Sequence, residues 1–216
     1  MKKFIIAIMA IFLPALMNAQ SEGLLARKTM KSAKADQSLY AKPGAVPEEN
    51  GMVVFKKTIS VPGKSKSDIY KALAQWASFR YEPNSVQGYV SEPGFFKNIE
   101  YSVVKSADKE TGKITCTGAE ELIFSIKPLA KNFTQAFYTL DLTAADGVVE
   151  FNMHHLSFNV DQGAGEFIRM NAEDWISDKE CINKKGALRR IPGKFRIKTI
   201  DLVEELQKEI FEAVSK

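Results

Sequence analysis

From Met52 to Val61 the chain alternates. Val53, Phe55, Ile59 and Val61 share one side, with Lys57 as the exception, while Lys56, Thr58 and Ser60 take the other. A period of two predicts a half-buried strand, and Pro62-Gly63 ends it. The period then lengthens. Ile69, Leu73 and Trp76 step by four and three, which makes one apolar stripe on a helix. Ser65, with Asp68 three residues on, reads as a capping-box-like start, and Pro83 limits the helix. The segment 65–81 is therefore the first closing helix.

Strand patterns follow. Ile99, Tyr101 and Val103 alternate, Asp108 to Gly112 is a turn, Ile114 and Cys116 alternate again, and Leu122, Phe124 and Ile126 run up to Pro128. Phe133 to Thr143 is a longer strand with Tyr138, Leu140 and Leu142 on one side. Asp146-Gly147 is a strong hairpin signal, and Val148 to Val160 is its return strand. That return strand changes phase: Val149, Phe151 and Met153 are odd-numbered, whereas Leu156, Phe158 and Val160 are even. One extra residue at His154-His155 would keep a single buried face, so the pattern predicts a β-bulge there.

Residues 161–195 are rich in glycine and charge and read as an irregular insertion. Within them Asn171 to Trp175 could open a short helix, and Pro192-Gly193 reads as a turn. The chain closes with a helix from about Ile197 or Thr199 to Val214, whose apolar stripe is Ile200, Val203, Leu206, Ile210 and Val214. The order is strand, helix, antiparallel strands, long terminal helix. A helix cannot bury its stripe alone, so the fold class is α+β, with both helices on one face of a curved antiparallel sheet. Residues 51–216 form the single domain. Residues 20–50 show no sustained periodicity and read as a flexible or partly helical lead-in.

The N-terminus changes the picture more than the composition does. Lys2 and Lys3 precede ten apolar residues from Phe4 to Leu13, followed by Pro14 and the small Ala19. This is the pattern of a secretory signal peptide at 1–19, cleaved between Ala19 and Gln20, and half the length a spanning helix needs. The expectation is an exported chain, periplasmic or extracellular, with no transmembrane helix after cleavage. The 216 residues carry a formal charge of +4, which falls to +2 without Lys2 and Lys3. So near-neutral a chain gives no electrostatic reason to expect nucleic acid as a partner. Cys116 and Cys181 are the two cysteines; export permits a bridge, but Cys116 reads as buried in a strand and Cys181 lies in a polar stretch, so unpaired thiols are expected slightly ahead of one disulfide.

The stretch from Val53 through Val61-Pro-Gly-Lys-Ser-Lys-Ser-Asp-Ile-Tyr70, with Trp76 in the helix, resembles the opening of a Bacteroides-type secreted family of unknown function. The resemblance covers about residues 51–160 and implies a fold like that of the TATA-box-binding protein. It brings no catalytic residues, because that family has no established activity. The fold type is also similar to START-like domains, in which a sheet grips a long helix around a cavity.

Candidate chemistry is sparse. Gly63-Lys64-Ser65 lies where a phosphate loop would, but Thr58 stands where that motif needs glycine, and Pro62 lacks an N–H; a turn and helix cap explain it. Gly163-Ala-Gly165 lacks the third glycine of a dinucleotide loop. His154 and His155 are the two histidines. Neighbours on a strand point to opposite faces, so they cannot share a metal unless the bulge reorients them, and no metal or cofactor is assigned. If one of them acts, His154 with Glu150 is the acid–base choice, and Asp161 is a third group near in sequence. Lys184, Lys185, Arg189, Arg190, Lys194, Arg196 and Lys198 form a basic stretch read as solvated surface. Phe137, Tyr138, Phe151, Phe158 and Trp76 are large enough to line an apolar pocket if the terminal helix stands off the sheet, although core is the simpler role. The leading expectation is a non-enzymatic envelope protein that binds a small apolar molecule or an envelope partner. The alternatives are an envelope hydrolase using His154 and Glu150, and an assembly module that takes up a strand. Oligomeric state is not legible.

Overall fold

The computed structural model describes residues 37–81, 102–127, 130–163 and 166–216. The leader, the first part of the lead-in, Pro83, Ile99, Tyr101 and Pro128 lie outside the described residues. In chain order the elements are α1 (Gln37–Ala41), β1 (Glu48–Glu49), β2 (Met52–Val53), β3 (Phe55–Ser60), α2 (Lys66–Arg80), β4 (Val103–Asp108), β5 (Lys113–Lys127), β6 (Ala130–Ala145), β7 (Val148–Gly163), β8 (Glu166–Asn171), α3 (Asp178–Cys181) and α4 (Pro192–Ser215).

The main sheet is antiparallel in the order β3-β7-β6-β5-β4. β6 takes one edge of β7, and the other edge is shared end to end. β3 pairs with residues 148–153, while β8 pairs with 157–163. The change of partner falls at the expected bulge. Phe137 faces Ser157 and Thr139 faces His154, so three steps on β7 oppose two on β6. His155 takes up the extra residue at φ 51°. The phase change thereby leaves one buried face: Val149, Phe151, Met153, Leu156, Phe158 and Val160 are all buried.

That face, with Tyr138, Leu140 and Leu142 of β6 and Ile114 and Cys116 of β5, receives both long helices in one core. Ser65 caps α2 as expected, its hydroxyl accepting from the Asp68 N–H at 3.2 Å. The buried line of α2 is Ile69, Leu73, Ala77 and Arg80, while Trp76 is half-buried beside it. On α4, Val203, Leu206, Ile210 and Val214 are buried and Ile200 packs partly buried against the core. The Asp146-Gly147 hairpin turn docks on the start of α2, because the Asp146 carboxylate accepts the Lys66 N–H at 2.7 Å.

Several sequence expectations need correction. Pro192-Gly193 is the first turn of α4, not a separate turn. Proline at a helix start loses an N–H that has no partner there anyway, and α4 gains a turn and more. The insertion contains a strand, β8, whose six residues alternate too weakly to stand out in the sequence. Residues 172–176 form turns, and the short helix is α3. The two strand patterns at Ile114 and Leu122 are one strand, β5. Gly118 lies in its middle because the Tyr138 ring occupies the place of a side chain; an added Cβ would fall 2.2 Å from Tyr138 Cζ. Ile126, expected on the buried side, is 68% exposed, past the bulge between Ile123 and Ser125.

The lead-in is docked from Gln37 onward, where α1 is its helical part. The cause is Arg196, the one member of the basic stretch that is not on the surface. Its guanidinium is fully buried. It donates to Tyr40 O (2.6 Å), Lys42 O (3.2 Å), Ile176 O (2.9 Å) and Asp178 Oδ1 (2.7 Å). Val46 joins the core behind it.

Cys116 and Cys181 are both free and buried. Burial pushes the Cys116 thiol up to about 12 and the Cys181 thiol up to about 11. A thiol reagent acts on the thiolate. The native protein should therefore leave both cysteines unmodified at neutral pH, and denaturant should release two reactive thiols. Fast labelling of either in the folded state would contradict this placement.

Candidate functional site

The face of the sheet away from α2 and α4 is polar. Its centre is built by the odd-numbered residues of β6 and by the part of β7 before the bulge. Asp141 lies opposite Thr115 on β5 and Asn152 on β7. Its carboxylate accepts from Thr115 Oγ1 at 2.6 Å and pairs with Lys113 Nζ at 3.1 Å. His154, diagonal to it, places Nε2 3.4 Å from Asp141 Oδ2. The bulge turns His155 toward His154, so the two Nδ1 atoms stand 2.5 Å apart. Asn152, two residues before His154 on the same side, has its Oδ1 buried with no hydrogen-bond partner. Beyond the bulge, the Arg169 guanidinium of β8 stacks on the Phe137 ring at 3.5 Å, and its Nε donates to Ser157 Oγ at 2.8 Å.

Burial works to raise the Asp141 carboxyl, but the Thr115 hydroxyl, Lys113 and His154 outweigh it and hold the group below the usual carboxylate value of 3.8. A depressed native value stabilises the fold above the ordinary value, and that contribution disappears as pH falls through the native value. In urea titrations, Asp141→Asn should be less stable than the parent at neutral pH, and the gap should narrow below about pH 4. A gap independent of pH would contradict the assignment.

His154 and Glu150 are not an acid–base pair. Four residues apart on one strand, they are separated by about 13 Å. Glu150 instead accepts from Thr58 Oγ1, at 3.0 and 2.9 Å. Asp161 accepts the Gly163 N–H at the far end of β7. The carboxylate that meets His154 is Asp141, which the sequence reading missed. Its signal was available: a hairpin closing at Asp146-Gly147 sets Asp141 opposite Asn152, and the diagonal neighbour is then His154.

The five aromatic candidates do not share one face. Tyr138, Phe151 and Phe158 are buried between sheet and helices, Trp76 packs half-buried against them, and Phe137 is buried on the opposite side beneath Arg169. Phe158 meets Phe195 of α4 edge-on, with ring centroids 5.4 Å apart. Tyr138 belongs to a polar network at the end of α2. Its hydroxyl donates to Glu120 Oε1 at 3.0 Å and lies 3.1 Å from the Tyr81 hydroxyl. Arg80 pairs with Glu120 and lies 3.5 Å from Glu209, which also accepts from Trp76 Nε1 at 3.3 Å. Burial opposes the charge on Arg80, but Glu120 outweighs it and keeps the guanidinium ionised. An open groove of about 470 Å³ lies between β3 and α4, edged by Lys57, Glu204, Lys208 and Phe211.

Two crystal structures share this architecture. A DUF4468 family protein from Bacteroides ovatus ATCC 8483 is 30% identical, with a TM-score of 0.70 over 85% of this chain and 97% of its own. The chain belongs to the DUF4468 family. The family model, described as a domain of unknown function (DUF4468) with TBP-like fold, matches residues 55–159, from β3 to near the end of β7. A TBP-like protein from Parabacteroides distasonis ATCC 8503 is 21% identical, with a TM-score of 0.61 over 80% of this chain and 98% of its own. No curated protein matches. The Bacteroides-type resemblance and the TBP-like α+β fold read from the sequence are thus correct. In this DUF4468 chain the matched region holds the Asp141, His154 and His155 cluster, while β8 and α4 lie past its end. Among the described residues no helix is long and apolar enough to cross a membrane.

Proposed function

We propose that this DUF4468 chain is an exported, non-enzymatic binding module of the cell envelope that takes an envelope partner in the groove between β3 and α4. The observation that carries the reading is that groove, an open space of about 470 Å³ edged by Lys57, Glu204, Lys208 and Phe211. Phe211 is 48% exposed there. A large apolar ring left exposed in an open, polar-rimmed groove is a place where a partner can bury surface. The packed inner face argues for contact outside the core in preference to an apolar molecule held within it. The sequence at 1–19 supports export, and His154, whose Nδ1 meets His155, has no nucleophile at that atom to activate.

The test places a photo-crosslinking amino acid at Phe211 or, as control, at Lys179, in cells of the native host. The expected result is an envelope-located chain beginning at Gln20, with a discrete adduct from position 211 and none from 179. A chain retained inside the cell with 1–19 intact, or no adduct specific to the groove, would overturn the reading.

A further inference from the structure

On a regular strand His154 and His155 would diverge. The bulge removes that obstacle: with His155 at φ 51°, the rings meet at a centroid separation of 4.5 Å and an interplanar angle of 63°. Two imidazole nitrogens in hydrogen-bond contact cannot both present lone pairs, so one carries a proton toward the other, and a metal cation is the group that can take that proton's place. The far side of His154 favours the metal. A ligating histidine commonly donates its other N–H to a carboxylate, which fixes tautomer and ring orientation. Here Nε2 faces Asp141, itself fixed by Thr115 and Lys113. Nδ1 is then the atom left to bind. The buried, unpartnered Oδ1 of Asn152 is a further acceptor on the same side of the strand.

We propose that His154 and His155 form a two-imidazole site for a divalent late transition ion of the zinc, nickel and copper class, with Asp141 as its positioning residue. Imidazole suits these ions. Metal–nitrogen bonds of about 2.0–2.1 Å place two ligating nitrogens roughly 3–3.4 Å apart, an opening of the present contact that exposed His155 can supply. As the ion enters, the proton between the two nitrogens passes to solvent and the exposed Nε2 of His155 takes one up, so both rings bind as neutral imidazoles. Among the described residues no three His, Cys, Asp or Glu side chains converge on one point, so the remaining coordination positions go to water or an incoming ligand. The site does not depend on the groove between β3 and α4, and either can hold without the other.

The test is zinc sulfate titrated into the untagged chain, followed by calorimetry and by imidazole nitrogen NMR. One zinc per chain is expected, with His155 moving to the Nε2–H tautomer that His154 already holds through Asp141. His154→Gln and His155→Asn should each weaken binding by at least about tenfold, and Asp141→Asn by about 10–100-fold with stoichiometry kept. Asparagine is used at 155 because it tolerates positive φ. Absence of saturable zinc uptake would overturn the proposal, as would uptake unchanged in a folded His154→Gln/His155→Asn double variant. Should that variant fail to fold, the parent spectrum decides: both Nδ1 signals moving on zinc addition supports the site, and neither moving refutes it.

Discussion

Arg196→Ala is expected to destabilise the fold by about 3–5 kcal/mol, because it strips the donor from several acceptors at once. Four acceptors depend on this guanidinium: the carbonyls of Tyr40, Lys42 and Ile176 and the Asp178 carboxylate. They come from α1 and the residue after it, the turn after β8 and the start of α3, so one side chain on α4 ties three separate segments together. Loss of Arg196 leaves those oxygens short of a donor, at about 1–3 kcal/mol for each that stays buried. Arg196→Lys should recover little, since an ammonium cannot span acceptors spread around a planar fork. Urea unfolding of the three proteins measures the loss, and proteolysis near residue 42 reports whether the N-terminal segment is released. A loss under about 1 kcal/mol would mean the oxygens find water at no cost.

The second large effect is expected at the end of α2. Arg80→Ala should cost about 3–5 kcal/mol, because it strands Glu120, whose carboxylate also holds the Tyr138 hydroxyl, and removes one partner of Glu209. Replacing Arg80 and Glu120 together by apolar residues should cost much less than the two single losses added, since no isolated charge then remains. A double-mutant cycle tests this. The expected coupling exceeds about 1 kcal/mol, whereas simple additivity would show that the two side chains do not depend on each other.

The apolar periodicities made most of the architecture legible. The phase change in β7 located the bulge because a strand has only two faces and one of them must be buried. Ser65 and Asp68 located the start of α2 through local hydrogen bonding. What failed was set by distant partners. Arg196 looks like any surface arginine in a basic run, since its acceptors are backbone carbonyls some 154 to 156 residues away on one side. β8 was missed because a strand exposed on both faces needs no apolar alternation. Pro192-Gly193 reads equally well as a turn or as the first turn of a helix, and the packing of Phe195 against Phe124, Phe158 and Trp175 decides for the helix.

The candidate site followed the same division. The two histidines and the bulge were readable, while their meeting and the carboxylate behind His154 were not. Sequence nearness favoured Glu150, but in a sheet the neighbours of a side chain lie across strands. Asp141, thirteen residues away along the chain, is the group in reach.

The account rests on one division of the sheet: an apolar face sealed by α2 and α4, and a polar face, away from both helices, that carries Asp141, His154 and His155. Methyl NOE spectroscopy tests it most directly. The methyls of Leu206 and Ile210 should show contacts within the core that holds Leu140, Phe151 and Met153, and none to Phe137 or Thr139. Contacts from α4 to Phe137, or Leu206 and Ile210 methyls in exchange with water, would contradict it.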